Sequence, residues 1–143
     1  MKKMILSLAL LLAPALSFAQ ALPQIQEQAP GLSIEASAPS ETHTLLGDQY
    51  YSYNFGSRYL HSTIYTDLTL TARGPAPVEL RAINWSGTSY SVYTNCPTIL
   101  YPGQTCITRV VFQPRWVGSH YSDVIFSMRD GRIIVRFYGY GLR

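Results

Sequence analysis

The 143-residue chain has room for one domain with a tail, and 47% apolar against 13% charged residues exclude a wholly disordered protein. The formal charge of +3 shrinks once Lys2 and Lys3 are set aside, leaving nine arginines against eight acids. That balance is too even for a nucleic-acid or membrane-surface protein.

In chain order, residues 1–19 carry Lys2-Lys3, an apolar run from Met4 to Leu12, and small residues around Ala19. This is the layout of a secretory signal peptide, and cleavage after Ala19 or Ala21 satisfies the small-x-small rule. The apolar run is shorter than the ~20 residues of a membrane span, and no cysteine stands at the cleavage site to carry a lipid. The sequence therefore predicts a periplasmic or extracellular protein in an oxidising compartment, where two cysteines pair. Residues 20–47 are rich in Pro, Gln, Ala, Ser and Glu and show no period, so they read as a flexible linker. The alternatives there are a docking segment or an extra strand from Leu45-Leu46.

From Tyr50 the period becomes two. Tyr51 to Phe55 alternates and ends at Gly56. Ser62 to Ala72 is the clearest strand, with Ile64, Leu68 and Leu70 on one face and Thr63, Tyr65, Asp67, Thr69 and Thr71 on the other. After the turn Gly74-Pro75-Ala76-Pro77 come Val78, Leu80, Ile83 and Trp85, whose three-residue step predicts a bulge. Tyr90 and Val92 lead into Cys96. Beyond the Pro102-Gly103 turn, Cys106, Thr108, Val110 and Phe112 share a face. Val124, Phe126 and Met128 follow, then a tight turn at Arg129-Asp130-Gly131, then Ile133, Val135, Phe137 and Gly139. Seven short strands with turns every 8 to 12 residues read, over residues 48–143, as an all-β, seven-stranded immunoglobulin-like β-sandwich.

Cys96 and Cys106 flank a turn, ten positions apart, on strands read as adjacent. A disulfide there closes a short loop, worth ~2.5–3 kcal/mol in the chain-entropy model. A redox role would want a CxxC-like spacing or a basic neighbour to lower a thiol pKa, and the sequence has neither, so the pair reads as structural.

Several blocks together resemble the bacterial ASH-like or choice-of-anchor D domains, relatives of the hydin, abnormal-spindle and major-sperm-protein domains. They are Asn54-Phe55-Gly56, Leu68-Thr69-Leu70, Ala76-Pro77-Val78-Glu79-Leu80 with Ile83, and the span Cys96 to Cys106 with its Pro102-Gly103. After these come Val110-Val111-Phe112-Gln113-Pro114, Gly118, and Val135 to Gly141 with its terminal Gly-x-Gly. The resemblance runs from Tyr51 to Gly141. It implies a seven-stranded immunoglobulin-like sandwich, a non-catalytic role, and use as an interaction or scaffolding module.

His43, His61 and His120 form no metal motif and read as solvated loop histidines. There is no phosphate loop before a helix and no Gly-x-Ser-x-Gly elbow. Asp67, Glu79, Asp123 and Asp130 fall on exposed strand faces or turns, which does not suit a glycosidase pair. The expectation is that the chain is not an enzyme and uses no cofactor. Asn84-Trp85-Ser86 is a glycosylation sequon that matters only in a eukaryotic secretory pathway.

The candidate binding face comes from outward parity. Arg136, Tyr138 and Tyr140 alternate with Val135 and Phe137; Arg109 is outward on the strand before Pro114, and Trp116 stands beyond it. If those two strands are neighbours, the five residues form one patch of the types enriched at interface hot spots. The bland reading is that tyrosine suits a pleated surface and Arg-Tyr pairs stabilise a sheet. The leading functional expectation is a secreted or periplasmic protein-interaction or scaffolding module of the bacterial cell envelope, whose partner is another envelope or extracellular protein, with a glycan as the other possibility. The alternatives are a carbohydrate-binding module, its Tyr and Trp stacking on sugar rings, and a pilus-chaperone-like periplasmic protein. The chain is too short for the second sandwich which that last role requires.

Overall fold

The computed structural model describes residues 27–37, 48–129 and 131–143. The signal-like segment and its cleavage sites, His43, Leu45-Leu46 and Asp130 lie outside them. The described chain is all-β, with nine strands and no helix, and so none long and apolar enough to cross a membrane. The strands are β1 (Leu32–Ser37), β2 (Gln49–Tyr59), β3 (Ile64–Arg73), β4 (Val78–Trp85), β5 (Tyr90–Thr94), β6 (Ile99–Leu100), β7 (Thr105–Phe112), β8 (Gly118–Met128) and β9 (Gly131–Leu142). They form a four-stranded sheet, β1-β3-β7-β5, and a five-stranded sheet, β2-β9-β8-β4-β6, which share one core as a two-layer β-sandwich.

Alternation decides what each strand buries. Ile64, Leu68, Leu70 and Ala72 of β3 are sealed, as are Val110 and Phe112 of β7, Val124 and Phe126 of β8, and Ile133, Val135 and Phe137 of β9. At the centre the rings of Phe55, Phe112, Phe137 and Tyr90 pack with centroid separations of 5.0 Å (Tyr90–Phe112) to 6.4 Å (Phe55–Tyr90), each such pair adding about 0.5–1.5 kcal/mol beyond its burial. The terminal Gly-x-Gly has a steric cause. A Cβ on Gly139 would lie 2.4 Å from the Phe112 ring, and one on Gly141 would lie 2.2 Å from the Trp116 carbonyl oxygen. The expected bulge in β4 is present as a register shift between Leu80 and Ala82, which keeps Ile83 opposite Phe126.

Two strands were not anticipated. β1 falls inside the segment read as a linker, and residues 27–37 are instead part of the fold. Leu-Ser-Ile-Glu-Ala-Ser alternates, buries Ile34 and Ala36, and pairs in parallel with Leu68 to Arg73. The residues before it clasp both sheets. The Pro30 carbonyl accepts hydrogen bonds from the Tyr53 hydroxyl of β2 and the Thr66 hydroxyl of β3, and the Ala29 amide donates to the Tyr65 carbonyl.

β6 is the second addition. β5 and β7 are neighbours, and the disulfide Cys96–Cys106 joins them with a Cα separation of 5.0 Å. Between the cysteines, however, the chain crosses to the other sheet, where Leu100 and Ile99 pair with Val78 and Glu79. It returns through the Pro102-Gly103 turn, with Gly103 at φ 83°, the left-handed position that glycine fills without strain. Gly103 N donates to the Ala72 carbonyl and Ala72 N to that of Gln104. The disulfide thus closes an excursion that fastens one sheet to the other.

Candidate functional site

The outer surface of the five-stranded sheet is built from the odd-parity residues of β8, the even-parity residues of β9 and the edge strand β2. The register sets Asn54 beside Tyr138 and Tyr138 beside Tyr121, in one row across three strands. The row below it runs Ser52, Arg136, Asp123, and the row above runs Ser57, Tyr140, Ser119. Tyr138 and Tyr140 are each 43% exposed and Tyr121 is 66% exposed. Tyr50, one row below Ser52 and beside Ile134, is also exposed.

Arg136 grips Asp123 with two hydrogen bonds, Nε to Oδ1 at 2.7 Å and Nη2 to Oδ2 at 2.8 Å. Those bonds hold the Asp123 carboxyl below the ordinary carboxylate range. They are also the main cause raising Arg136, reinforced by the charge of Asp123 and by the Tyr138 hydroxyl. The result is an exposed patch of phenol rings and hydroxyls whose guanidinium charge is met by a neighbouring carboxylate.

Of the five residues read from sequence as a face, the structure brings Arg136, Tyr138 and Tyr140 together. Arg109 is not among them. β7 belongs to the four-stranded sheet and β9 to the other, so the two strands are not neighbours. Arg109 binds Asp67 through Nε and Nη2 at 2.8 and 2.9 Å, and its guanidinium lies 4.0 Å from the centre of the Tyr65 ring. Trp116 sits in the β7–β8 connection, packed against His120 with ring centroids 4.1 Å apart and planes tilted by 36°. His61 is exposed, as expected of a loop histidine, but His120 is not a solvated one. It lies on the inward parity of β8, 4% exposed, and shares Nε2 with the Trp116 carbonyl oxygen at 2.8 Å. Tyr121 is the residue that the parity argument missed. Carrying the alternation of Val124 and Phe126 back to Gly118 puts His120 and Ser122 inside and Tyr121 and Asp123 outside. Among the described residues no group of three or more His, Cys, Asp or Glu is placed to hold a metal.

No protein-family model and no curated protein matches the chain. Solved structures do match it. The VesB protease of Vibrio cholerae aligns with a TM-score of 0.54 and 18% identity over 63% of this chain. The secreted serine protease VesC of Vibrio cholerae aligns at 0.52 and 18% over 62%. A protein of unknown function from Porphyromonas gingivalis W83 aligns at 0.50 and 17% over 67%. The chain spans 30%, 21% and 49% of those proteins, respectively. The expectation that the chain is not an enzyme is corrected by the first two: this sheet arrangement occurs within proteases, so the missing motifs do not exclude the class. At such identities the likeness is one of fold.

Proposed function

We propose that the chain is an extracytoplasmic immunoglobulin-like module that binds another protein of the cell envelope through the outer face of β9, β8 and β2. The observation that carries this reading is the exposed row Tyr138–Tyr121, with Tyr140 and the Arg136–Asp123 pair beside it on a rigid, hydrogen-bonded sheet. Tyrosine contributes a large contact area with little side-chain entropy to lose, and Tyr and Arg dominate interface hot spots. The partner surface complementary to it is polar and aromatic rather than strongly charged, because Asp123 already meets the guanidinium.

The immunoglobulin-like class is supported by strand order. β1-β3-β7-β5 follows the order A-B-E-D, although β1 runs parallel to β3, and β9-β8-β4 follows G-F-C, with β2 running parallel to the last strand. The ASH-like resemblance belongs to this same reading. The disulfide supports an oxidising compartment, as does the likeness to part of a secreted protease.

The test is retention of envelope proteins by the oxidised full chain and by a variant with Arg136→Ser, Tyr138→Ser and Tyr140→Ser. A specific protein held by the first and lost by the second, with both samples equally folded, supports the assignment. Equal retention by the two sinks it.

A further inference from the structure

We infer that a cleft at one end of the sandwich, beside Trp116 and His120, binds a neutral polyhydroxylated ring of about one sugar residue. β4 stops at Trp85, opposite Val124, whereas β8 begins six residues earlier at Gly118. On that side the start of β8 has the 86–89 connection as its neighbour instead of a strand. That connection is held in place by Ser122, whose hydroxyl donates to the Ser86 carbonyl, and by the Gln113 amide, which donates to the Ser89 carbonyl. The turn needs Gly87, at φ 87°, where an added Cβ would also lie 3.3 Å from the Tyr121 carbonyl oxygen.

The cleft holds about 280 Å³, just below the ~300–1,000 Å³ typical of ligand pockets, and so suits a single ring rather than a chain. Ser86, Thr88, Ser89 and Ser119 line it beside Trp116, with Tyr90 buried beneath and Tyr121 at its border with the outer face, and no Asp, Glu, Lys or Arg takes part. A charged ligand would go uncompensated there. Hydroxyls with aromatic faces are what a sugar requires, its O–H groups hydrogen-bonded and its C–H face laid on a ring. Trp116 rests one side on His120 and remains half exposed.

Two buried atoms of the lining residues make the assignment more specific. Ser89 Oγ and His120 Nδ1 have no hydrogen-bond partner, although both residues are only 4% exposed. A buried polar atom without a partner is rare because it forfeits water and gains nothing. The Trp116 carbonyl can only accept, so His120 Nε2 carries a hydrogen, and in the neutral ring Nδ1 is left as an acceptor. Ser89 can give or take. Both atoms are closed to solvent, so a ligand meets them only as the two side chains turn toward the cleft; a ligand hydroxyl then serves either, donating to Nδ1 or accepting from Ser89, whereas a carboxylate serves only the serine.

The experiment titrates the oxidised full chain carrying Trp85→Phe, which leaves Trp116 as the reporting tryptophan, with glucose, galactose and N-acetylglucosamine. Cyclohexanol and glucuronate serve as the apolar and charged controls. Concentrations run to about 50 mM, well beyond the ~1 mM Kd expected of a small neutral ligand. Saturable fluorescence change with at least one sugar is expected, with a shift of the His120 Nδ1 resonance, and weaker response to both controls. Ser89→Ala is expected to weaken binding about tenfold, and Trp116→Ala, which removes the reporting tryptophan and is therefore followed by the His120 resonance alone, to abolish it, while Tyr138→Ser with Tyr140→Ser leaves it intact. That last variant separates this site from the protein-binding face. No saturable response to any sugar, equal response to cyclohexanol, or unchanged affinity in Ser89→Ala would each overturn the inference.

Discussion

Each sheet carries on its outer surface a cross-strand arginine–aspartate pair with two parallel hydrogen bonds: Arg109–Asp67 between β7 and β3, and Arg136–Asp123 between β9 and β8. The bond lengths agree within 0.1 Å, yet the surroundings differ. Side-chain exposure is 14% and 17% in the first pair, against 50% and 26% in the second. The first pair is roofed on one side by the Tyr65 ring, whose backbone is in turn bonded to Glu27 and Ala29. The second lies open among tyrosines. The same local chemistry therefore fastens one face and decorates a contact surface on the other, and the difference is set by what the chain lays over each sheet.

If the four-stranded sheet is the fastened one, its fastenings carry the largest effects. Replacing Cys96 and Cys106 together by serine is expected to lower unfolding free energy by about 2.5–3 kcal/mol, since the bond closes a ten-residue loop. Urea denaturation measures this, and reduction of the native chain should give the same loss. A loss below about 1 kcal/mol would mean that β6 holds the excursion without the bond.

The next effects sharpen the contrast between the two pairs. Arg109→Ala strands the Asp67 carboxylate in a mostly enclosed place and is expected to cost about 2–3 kcal/mol. Adding Asp67→Ala should cost less than the sum of the two singles, because the stranded charge is then gone. Ile34→Ala, which removes the buried anchor of β1, is expected to cost about 2–3 kcal/mol in the same assay. An unchanged midpoint there would detach β1 from the fold.

The open face was more legible in the sequence than the closed one, for a physical reason. Seven strands follow from period-two burial, and so does the outward parity of Arg136, Tyr138 and Tyr140, because alternation is a local property. Which sheet a strand joins is not local, and so parity alone groups Arg109 with a strand of the opposite sheet. β1 was hidden by its Pro- and Gln-rich flanks, though Leu32, Ile34 and Ala36 alternate. β6 is a two-residue pairing with no period to detect. His120 reads as a loop residue because the apolar alternation is plain only from Val124 on, six residues after β8 begins at Gly118.

The smallest effect is the most discriminating. Arg136→Ser should leave the neutral-pH urea midpoint close to that of the native chain, because the pair is exposed and its Coulomb gain is screened. Its pH dependence has a definite sign. Arg136 holds the Asp123 carboxyl below its ordinary value, chiefly through the hydrogen bonds between them. The stability this contributes is present above the unfolded-state value of about 3.9 and is lost as pH falls through the lower folded value. Whatever gap separates native chain and variant at pH 7 should therefore close as the medium is acidified below about pH 4. Added salt should narrow the same gap at pH 7. For Arg109→Ala the large loss should persist in salt, since the enclosed pair is screened far less. If salt reduces both losses in proportion, the two pairs share one environment and the distinction between a fastened and an open face fails.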